Sequence, residues 1–275
     1  MIGRAGRRQT SGWATPILAA AVLALATSCA GAQDMLRFLD LKSDDFTKAD
    51  MTRSEIEAAL AAAGPSQLVD LSGRRLNGLD LSRLDLRRAK LQATRLNRAN
   101  LAGVNLDGVM LDQAWALDAD LTGASLRGAS LFATQLIGAK LDGADLSDAR
   151  IAGDLSRASL RQARLDRADL SADMRNQSMG LMRGVLRSAK LDGASLENAN
   201  LSRAVLEFAS LRDANLTGAR LNGSELGGAD FLGADVAGAD FDGADVTSTR
   251  LTGMRGRDRA RNLDRVKNLD RAFSD

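Results

Sequence analysis

From about residue 69 to residue 251 an apolar residue recurs at every fifth position, with a second, smaller apolar residue two places before it. The stretch Ala139-Lys140-Leu141-Asp142-Gly143-Ala144-Asp145-Leu146-Ser147-Asp148-Ala149 shows the rule. Inward positions are therefore spaced alternately by two and by three. A spacing of two puts both side chains on one face of an extended strand, because strand side chains alternate. A spacing of three breaks that alternation, so the chain must turn a corner there to keep the next pair facing inward. The competing pattern is an amphipathic helix. A period of five advances about 140° beyond a full helical turn per unit, so the leucines would spiral around a helix and form no stripe. The pattern predicts short strands joined by tight corners and wound around an apolar axis, an all-β solenoid.

Taking Leu71 through Ile151 as 17 units, Leu155 through Leu170 as 4 and Leu181 through Leu251 as 15 gives 36 central positions. Leucine fills 30 of the 36, and the others are Ala116, Ile151, Phe231, Val236, Phe241 and Val246, so no unit places a polar group on the axis. Alanine stands two before in 23 of the 36, consistent with a corner that admits little more than a methyl group. Leu and Ala interdigitated to close packing make a dry core.

These units resemble the pentapeptide-repeat family, whose members read approximately A-(D/N)-L-x-x. The resemblance covers about two thirds of the chain, residues 69–251. It implies a right-handed quadrilateral β-helix with four units to a coil. On that basis the 36 units make about nine coils, a rod roughly 40 Å long at the usual strand spacing.

Two places break the phase. Ile151 to Leu155 is a step of four, through Ala152-Gly153-Asp154, and the leucine phase lapses again between Leu170 and Leu181. A surface loop is expected over 171–180, a place where solenoids carry contacts. The ends are expected to be short helical caps. Thr52-Arg53-Ser54-Glu55 is a capping-box pattern, Ile56, Ala59, Leu60 and Ala63 form an apolar stripe, and Gly64-Pro65 ends the helix. Phe46 and Met51 fall in the leucine phase, so residues 33–68 read as a degenerate first coil plus a capping helix. In residues 252–275, Leu263, Val266, Leu269 and Phe273 are placed to line a helix face. Solenoid ends need covering because they expose backbone groups and apolar side chains.

The first 32 residues read as a secretory signal. Arg4, Arg7 and Arg8 precede the apolar run Pro16–Ala26, and Ala30-Gly31-Ala32 before Gln33 is a cleavage-type sequence. That run is too short to span a bilayer. The expected location is the periplasm or cell envelope. The single cysteine, Cys29, follows Ala26-Thr27-Ser28 and is the candidate for a lipid anchor if cleavage does not fall between Ala32 and Gln33. A lone cysteine provides no disulfide framework.

Charge adds little. The chain carries 37 Lys+Arg against 35 Asp+Glu, and removal of residues 1–32 leaves 34 against 35, so the balance argues against nucleic-acid binding. The absence of any histidine or tyrosine excludes His-based acid–base chemistry, Ser-His-Asp catalysis and His metal sites. The expectation is a non-enzyme without cofactor, metal or small-molecule substrate.

Two clusters rise above the repeat. Asp230, Asp235, Asp240 and Asp245, with Glu225 before them and Asp242 nearby, would ring one level of a four-sided coil as an acidic collar. Trp115, Leu117, Phe132 and Ile137 fall at outward positions, with Leu117 and Ile137 one coil apart, as an apolar contact patch. The chain is expected to act as a structural or protein-interaction scaffold in a bacterial cell envelope, binding an unidentified protein partner or pairing as a homodimer through its caps. The resemblance supplies the alternative, because some pentapeptide-repeat proteins mimic DNA: a cytoplasmic DNA-mimicking binder of a type II topoisomerase.

Overall fold

The five-residue phase becomes a ladder that climbs one level every four units. The computed structural model describes residues 39–64, 66–174 and 182–274, all within one compact unit, Gly31–Asp275. Parallel single-residue bridges join positions twenty apart, as in Arg75↔Arg95, Arg95↔Trp115 and Trp115↔Gln135. Four such columns run side by side, so each coil has four faces. Among the described residues only Val69–Asp70 (β1) and Ala89–Lys90 (β2) pair over two consecutive residues. Strands stay this short because each unit spends the rest of its length turning. In the unit after Leu141 the corner is a β-turn closed by Ala144 N–H to Leu141 O at 3.0 Å, and its third residue has left-handed backbone. Between levels, Leu101 N–H donates to Asp120 O at 2.6 Å and Asn100 N–H to Leu79 O at 2.8 Å, so the extended residues bond both up and down.

The axis is filled as the pattern requires. No described central residue from Leu71 to Leu251 is more than 4% exposed, and the alanines two before them are buried beside them. Phe231 and Phe241, side by side on the axis, meet with ring centroids 6.2 Å apart.

Both breaks in phase are absorbed at corners. The four-residue step shortens the four bridges from Gln135↔Asp154 to Arg150↔Asp169 to a separation of nineteen, without moving a leucine off the axis. At the second break the ladder runs Asp154↔Val185, and Leu155 N–H donates to Val185 O, so Leu186 occupies the face that follows Leu170. The count of units is thereby corrected: the coil has no face for a unit centred on Leu181, which lies outside the described residues. Asp173 N–H donates to Met182 O at 2.7 Å, joining the two sides of this break, and residues 175–181 of the expected loop lie outside the described residues. Excising residues 173–183 restores a five-residue step. The shortened protein is expected to keep a cooperative urea transition with a midpoint close to that of the full chain.

The ends differ from the expectation in instructive ways. Helix α1 (Asp44–Thr47) and the residues after it form no degenerate coil. Ala49 bridges Leu76 antiparallel, and Phe46 sits on the outside of the rod, not on the axis. Helix α2 (Arg53–Ala62) has the capping box: Thr52 N–H donates to Glu55 Oε2 at 2.7 Å and Glu55 N–H to the Thr52 hydroxyl at 3.3 Å. It lies against the first coil, with Ile56 fully buried in the core. Arg53 donates to the carbonyls of Asp80 and Ser82, and Arg88 to those of Leu60, Ala63 and Gly64, so guanidinium groups pin both ends of the helix.

At the other end there is no α-helix. The ladder continues as Asp235↔Arg255, Asp240↔Arg261, Asp245↔Lys267 and Arg250↔Phe273, in steps of six. The sequence carries that period: Gly256-Arg257-Asp258-Arg259-Ala260-Arg261, Asn262-Leu263-Asp264-Arg265-Val266-Lys267, Asn268-Leu269-Asp270-Arg271-Ala272-Phe273. The sixth residue is accommodated by a 3-10 turn in each unit. Gly256, Asn262 and Asn268, all with left-handed backbone, stand where leucines stood, while Met254, Ala260, Leu263, Val266 and Ala272 pack, partly buried, against the end of the core. Leu269 and Phe273 are exposed, not aligned on a helix face.

Candidate interaction surface

The aspartates and asparagines that precede the leucines serve the backbone first. Asp70 accepts from Ser72 N–H at 2.9 Å, Asp120 from Thr122 N–H at 3.0 Å and Asn215 from Thr217 N–H at 3.0 Å, each an Asx turn across the corner. Where serine replaces that residue, an aspartate one coil below does the same work. Asp107 accepts from the Ser125 hydroxyl and Arg127 N–H, and Asp112 from the Ser130 hydroxyl and Phe132 N–H. The D/N of the repeat is therefore a device for satisfying turn N–H groups.

At Asp70, Asp80, Asp85 and Asp148 hydrogen bonds favour the ionised carboxyl. The Ser72 N–H keeps the Asp70 carboxyl below its ordinary value, the Ser82 hydroxyl does so for Asp80, and the guanidinium groups of Arg87 and Arg167 do so for Asp85 and Asp148. A lowered folded-state pKa means stability that is present above the unfolded value, near about 3.9, and is lost as pH falls through the folded value. Urea midpoints are expected to be flat from neutral pH down to about 5 and to fall steeply below about 4.

The acidic collar belongs to this system. Asp230, Asp235, Asp240 and Asp245 do ring one level, one to each face, and each accepts the N–H two residues on. Directly above them in register stand Arg250, Arg255, Arg261 and Lys267. Arg212 reaches Asp230 at 2.7 Å, Asn262 reaches Asp240 at 2.7 Å, and Asn268 reaches Asp245 at 3.0 Å. Burial works against ionisation of Asp240 and Asp245, but their hydrogen bonds outweigh it and hold both below the usual range. Asp242 pairs with Arg265 and Glu225 with Arg183. The collar thus faces the chain's own basic coil.

The apolar patch is largely covered. Ala116 keeps the axial place, so Trp115 and Leu117 remain outward. Trp115 lies under the Phe46 ring at 5.2 Å between centroids. The segment bearing Phe46 is fastened by Asn77, which donates to the carbonyls of Asp45 and Lys48 and accepts from Asn97. Phe132 lies beneath the Arg150 guanidinium, and Ile137 is buried, which corrects the expectation of an open patch at these four residues.

One open feature was not anticipated. At the corner joining two faces near the C-terminal end, a groove of about 550 Å³ is lined by Glu207, Phe208, Glu225, Asp245 and Lys267 over glycine backbone. Phe208 is 67% exposed and has left-handed backbone at φ +58°. Its sequence signal was faint: an aromatic residue at a repeat position mostly filled by glycine, arginine or aspartate. Among the described residues no group of acidic side chains could hold a metal ion, and no helix is long and apolar enough to cross a membrane.

A four-sided solenoid with a closed apolar axis, its surface carboxylates and amides bonded to its own turns, defines a class of repeat proteins. The family model "Pentapeptide repeats" matches residues 67–101, 85–116, 118–150, 185–218 and 214–253, and the chain belongs to that family, whose fold is the right-handed β-helix. Among solved structures, HetL from the cyanobacterium Nostoc sp. strain PCC 7120, described as involved in heterocyst differentiation regulation, is 30% identical over 81% of this chain and 99% of its own, with a TM-score of 0.48. A trypsin-treated form of QnrB1, a plasmid-mediated fluoroquinolone resistance protein, is 18% identical over 76% of this chain and 91% of its own, with a TM-score of 0.46. A thylakoid-lumen pentapeptide repeat protein from Arabidopsis thaliana is 28% identical over 46% and 70%, with a TM-score of 0.20. No curated protein sequence matches the chain.

Proposed function

We propose that this chain is a non-enzymatic scaffold, a rod of about nine coils exported to the bacterial cell envelope, where it holds partner proteins. The observation that carries this is the use of the surface polar groups. Side chains that would have to converge on a substrate are instead bonded, one corner at a time, to the backbone beneath them, as Asp120 is to Thr122 and Asp107 to Arg127. What remains for contact is shape, the insertion after Ala172 and the groove at Phe208. Export rests on the sequence of residues 1–32 with the cleavage-type step from Ala32 to Gln33, and anchoring on Cys29. All of these lie outside the described residues. A homodimer through the ends has less support, because Met254, Leu263 and Val266 of the last coil already pack, partly buried, against the end of the core.

Fractionation combined with crosslinking in intact cells tests this. The expected product is shortened at its N-terminus, found in the envelope fraction and crosslinked to a defined protein. A full-length cytoplasmic protein would remove export and favour the topoisomerase-binding alternative. Palmitate label lost on Cys29→Ala would assign the anchor.

A further inference from the structure

Four described phenylalanines lie off the axis: Phe46, Phe132, Phe208 and Phe273. Two of them carry an arginine of this chain. Arg95 Cζ stands 5.4 Å from the Phe46 ring centroid, and Arg150 Cζ stands 5.4 Å from that of Phe132. At Phe132 the arrangement is complete, since Arg150 is also held by the Asp173 carboxylate at 2.8 Å. A phenyl ring, a guanidinium and a carboxylate form one unit there.

At Phe208 the ring and the carboxylates are present, but among the described residues no guanidinium stands over the ring. The ring lies against Gly228, where a Cβ would come within 2.6 Å of a ring carbon, so the glycine makes room for it. Its left-handed backbone costs a bulky residue about 1–2 kcal/mol, and its exposure returns little of that through burial. Glu207 and Glu225 flank the groove. Each already accepts one arginine of this chain through a single oxygen: Arg187 bonds Glu207 Oε2 at 2.7 Å and Arg183 bonds Glu225 Oε1 at 2.8 Å. Glu207 Oε1 and Glu225 Oε2 have no partner among the described residues. Three carboxylates and the ammonium of Lys267 line the groove, and two of the carboxylates are each bonded on one oxygen to Arg183 or Arg187.

We propose that Phe208, Glu207 and Glu225 form a docking site for an arginine side chain of a partner protein. The guanidinium stacks on the open part of the ring and donates to the free carboxylate oxygens, completing the arrangement that Arg150 completes at Phe132. This rests on the scaffold reading and gives the partner its chemistry. Lysine fits less well, because its ammonium neither stacks nor forks.

The test is fluorescence anisotropy at fixed ionic strength with a labelled Gly-Arg-Gly-Arg-Gly peptide, and with peptides carrying lysine or citrulline in place of arginine. The arginine peptide is expected to bind about tenfold more tightly than either control. Phe208→Gly is expected to lose about tenfold in affinity while melting at the same temperature or higher, since glycine relieves the strained backbone. Glu225→Gln weakens binding, and Asp264→Asn on the last coil leaves it unchanged. Equal binding by wild type and Phe208→Gly, or by the arginine and lysine peptides, overturns the site. In cells, a partner crosslinked equally to wild type and Phe208→Gly also removes the groove and leaves the scaffold standing. A wild-type protein that crosslinks to nothing removes the scaffold whatever the peptide does.

Discussion

Truncating Leu141 to alanine is expected to lower unfolding stability by about 2–5 kcal/mol, whereas the same change at Leu263 should stay within about 1 kcal/mol. Leu141 is fully buried, with Leu121 below it and Leu160 above it on one face of the coil. Those neighbours are held by ladder bonds such as Leu141 N–H to Ser159 O at 2.6 Å, so they cannot move in to fill the space. The cavity stays open, and the loss includes both the transfer of the side chain and the void. Leu263 is only half-buried, in a 3-10 turn of the last coil, where solvent takes the vacated place. Because each coil touches only its neighbours, the effect should be local to the middle of the rod. Hydrogen exchange under mild urea would show amides near residues 121–160 losing protection before those at 210–250. Uniform loss, or a Leu141→Ala midpoint indistinguishable from wild type, would mean that the axis is plastic.

How much of this was legible in the sequence depends on the range of the contact involved. The axis was legible because it is local: a five-residue period fixes which side chains face inward, whatever the rest of the chain does. Which faces stack does not follow from the period: four units to a coil was implied by the resemblance alone, and the bridges twenty residues apart establish it. The ends were not legible, for two different physical reasons. Phe46 falls in the leucine phase yet packs on Trp115, and nothing within a few residues of either announces a contact that far along the chain. The C-terminal coil has a period of six, but Leu263, Val266 and Leu269 at spacings of three satisfy the helical stripe expected there. The left-handed backbone of Asn262 and Asn268 decides the matter. For the surface, Asp230, Asp235, Asp240 and Asp245 stood out as a collar in the sequence, yet they fill the repeat's own Asp/Asn position. Only the bonding to turn N–H groups explains why the repeat needs them. Phe208 is the reverse case, a departure too slight to stand out until its backbone and exposure were seen together.

Replacing Gly153 by alanine is expected to cost about 3 kcal/mol, the upper end of what overpacking a close contact costs. An argument from backbone preference alone ranks this position as harmless, since Gly153 is not among the glycines with left-handed backbone. By that argument Gly143, at φ +66°, should be the sensitive one. Space reverses the order. A Cβ on Gly143 meets nothing within 4 Å, so Gly143→Ala pays only the left-handed penalty of about 1–2 kcal/mol. A Cβ on Gly153 would stand 2.5 Å from the Thr134 carbonyl oxygen and 3.1 Å from Leu131 O and Thr134 N. All three are backbone atoms of the coil below, and the corner is already one residue short. Asp154 N–H to Thr134 O and Val185 N–H to Gly153 O, both at 2.9 Å, fix this corner to the level below and to the level above. The methyl group can enter only if the levels part, breaking bonds on both sides of the corner. Urea midpoints should therefore fall in the order wild type, Gly143→Ala, Gly153→Ala. The reverse order would mean that the four-residue corner opens more easily than its bonding implies.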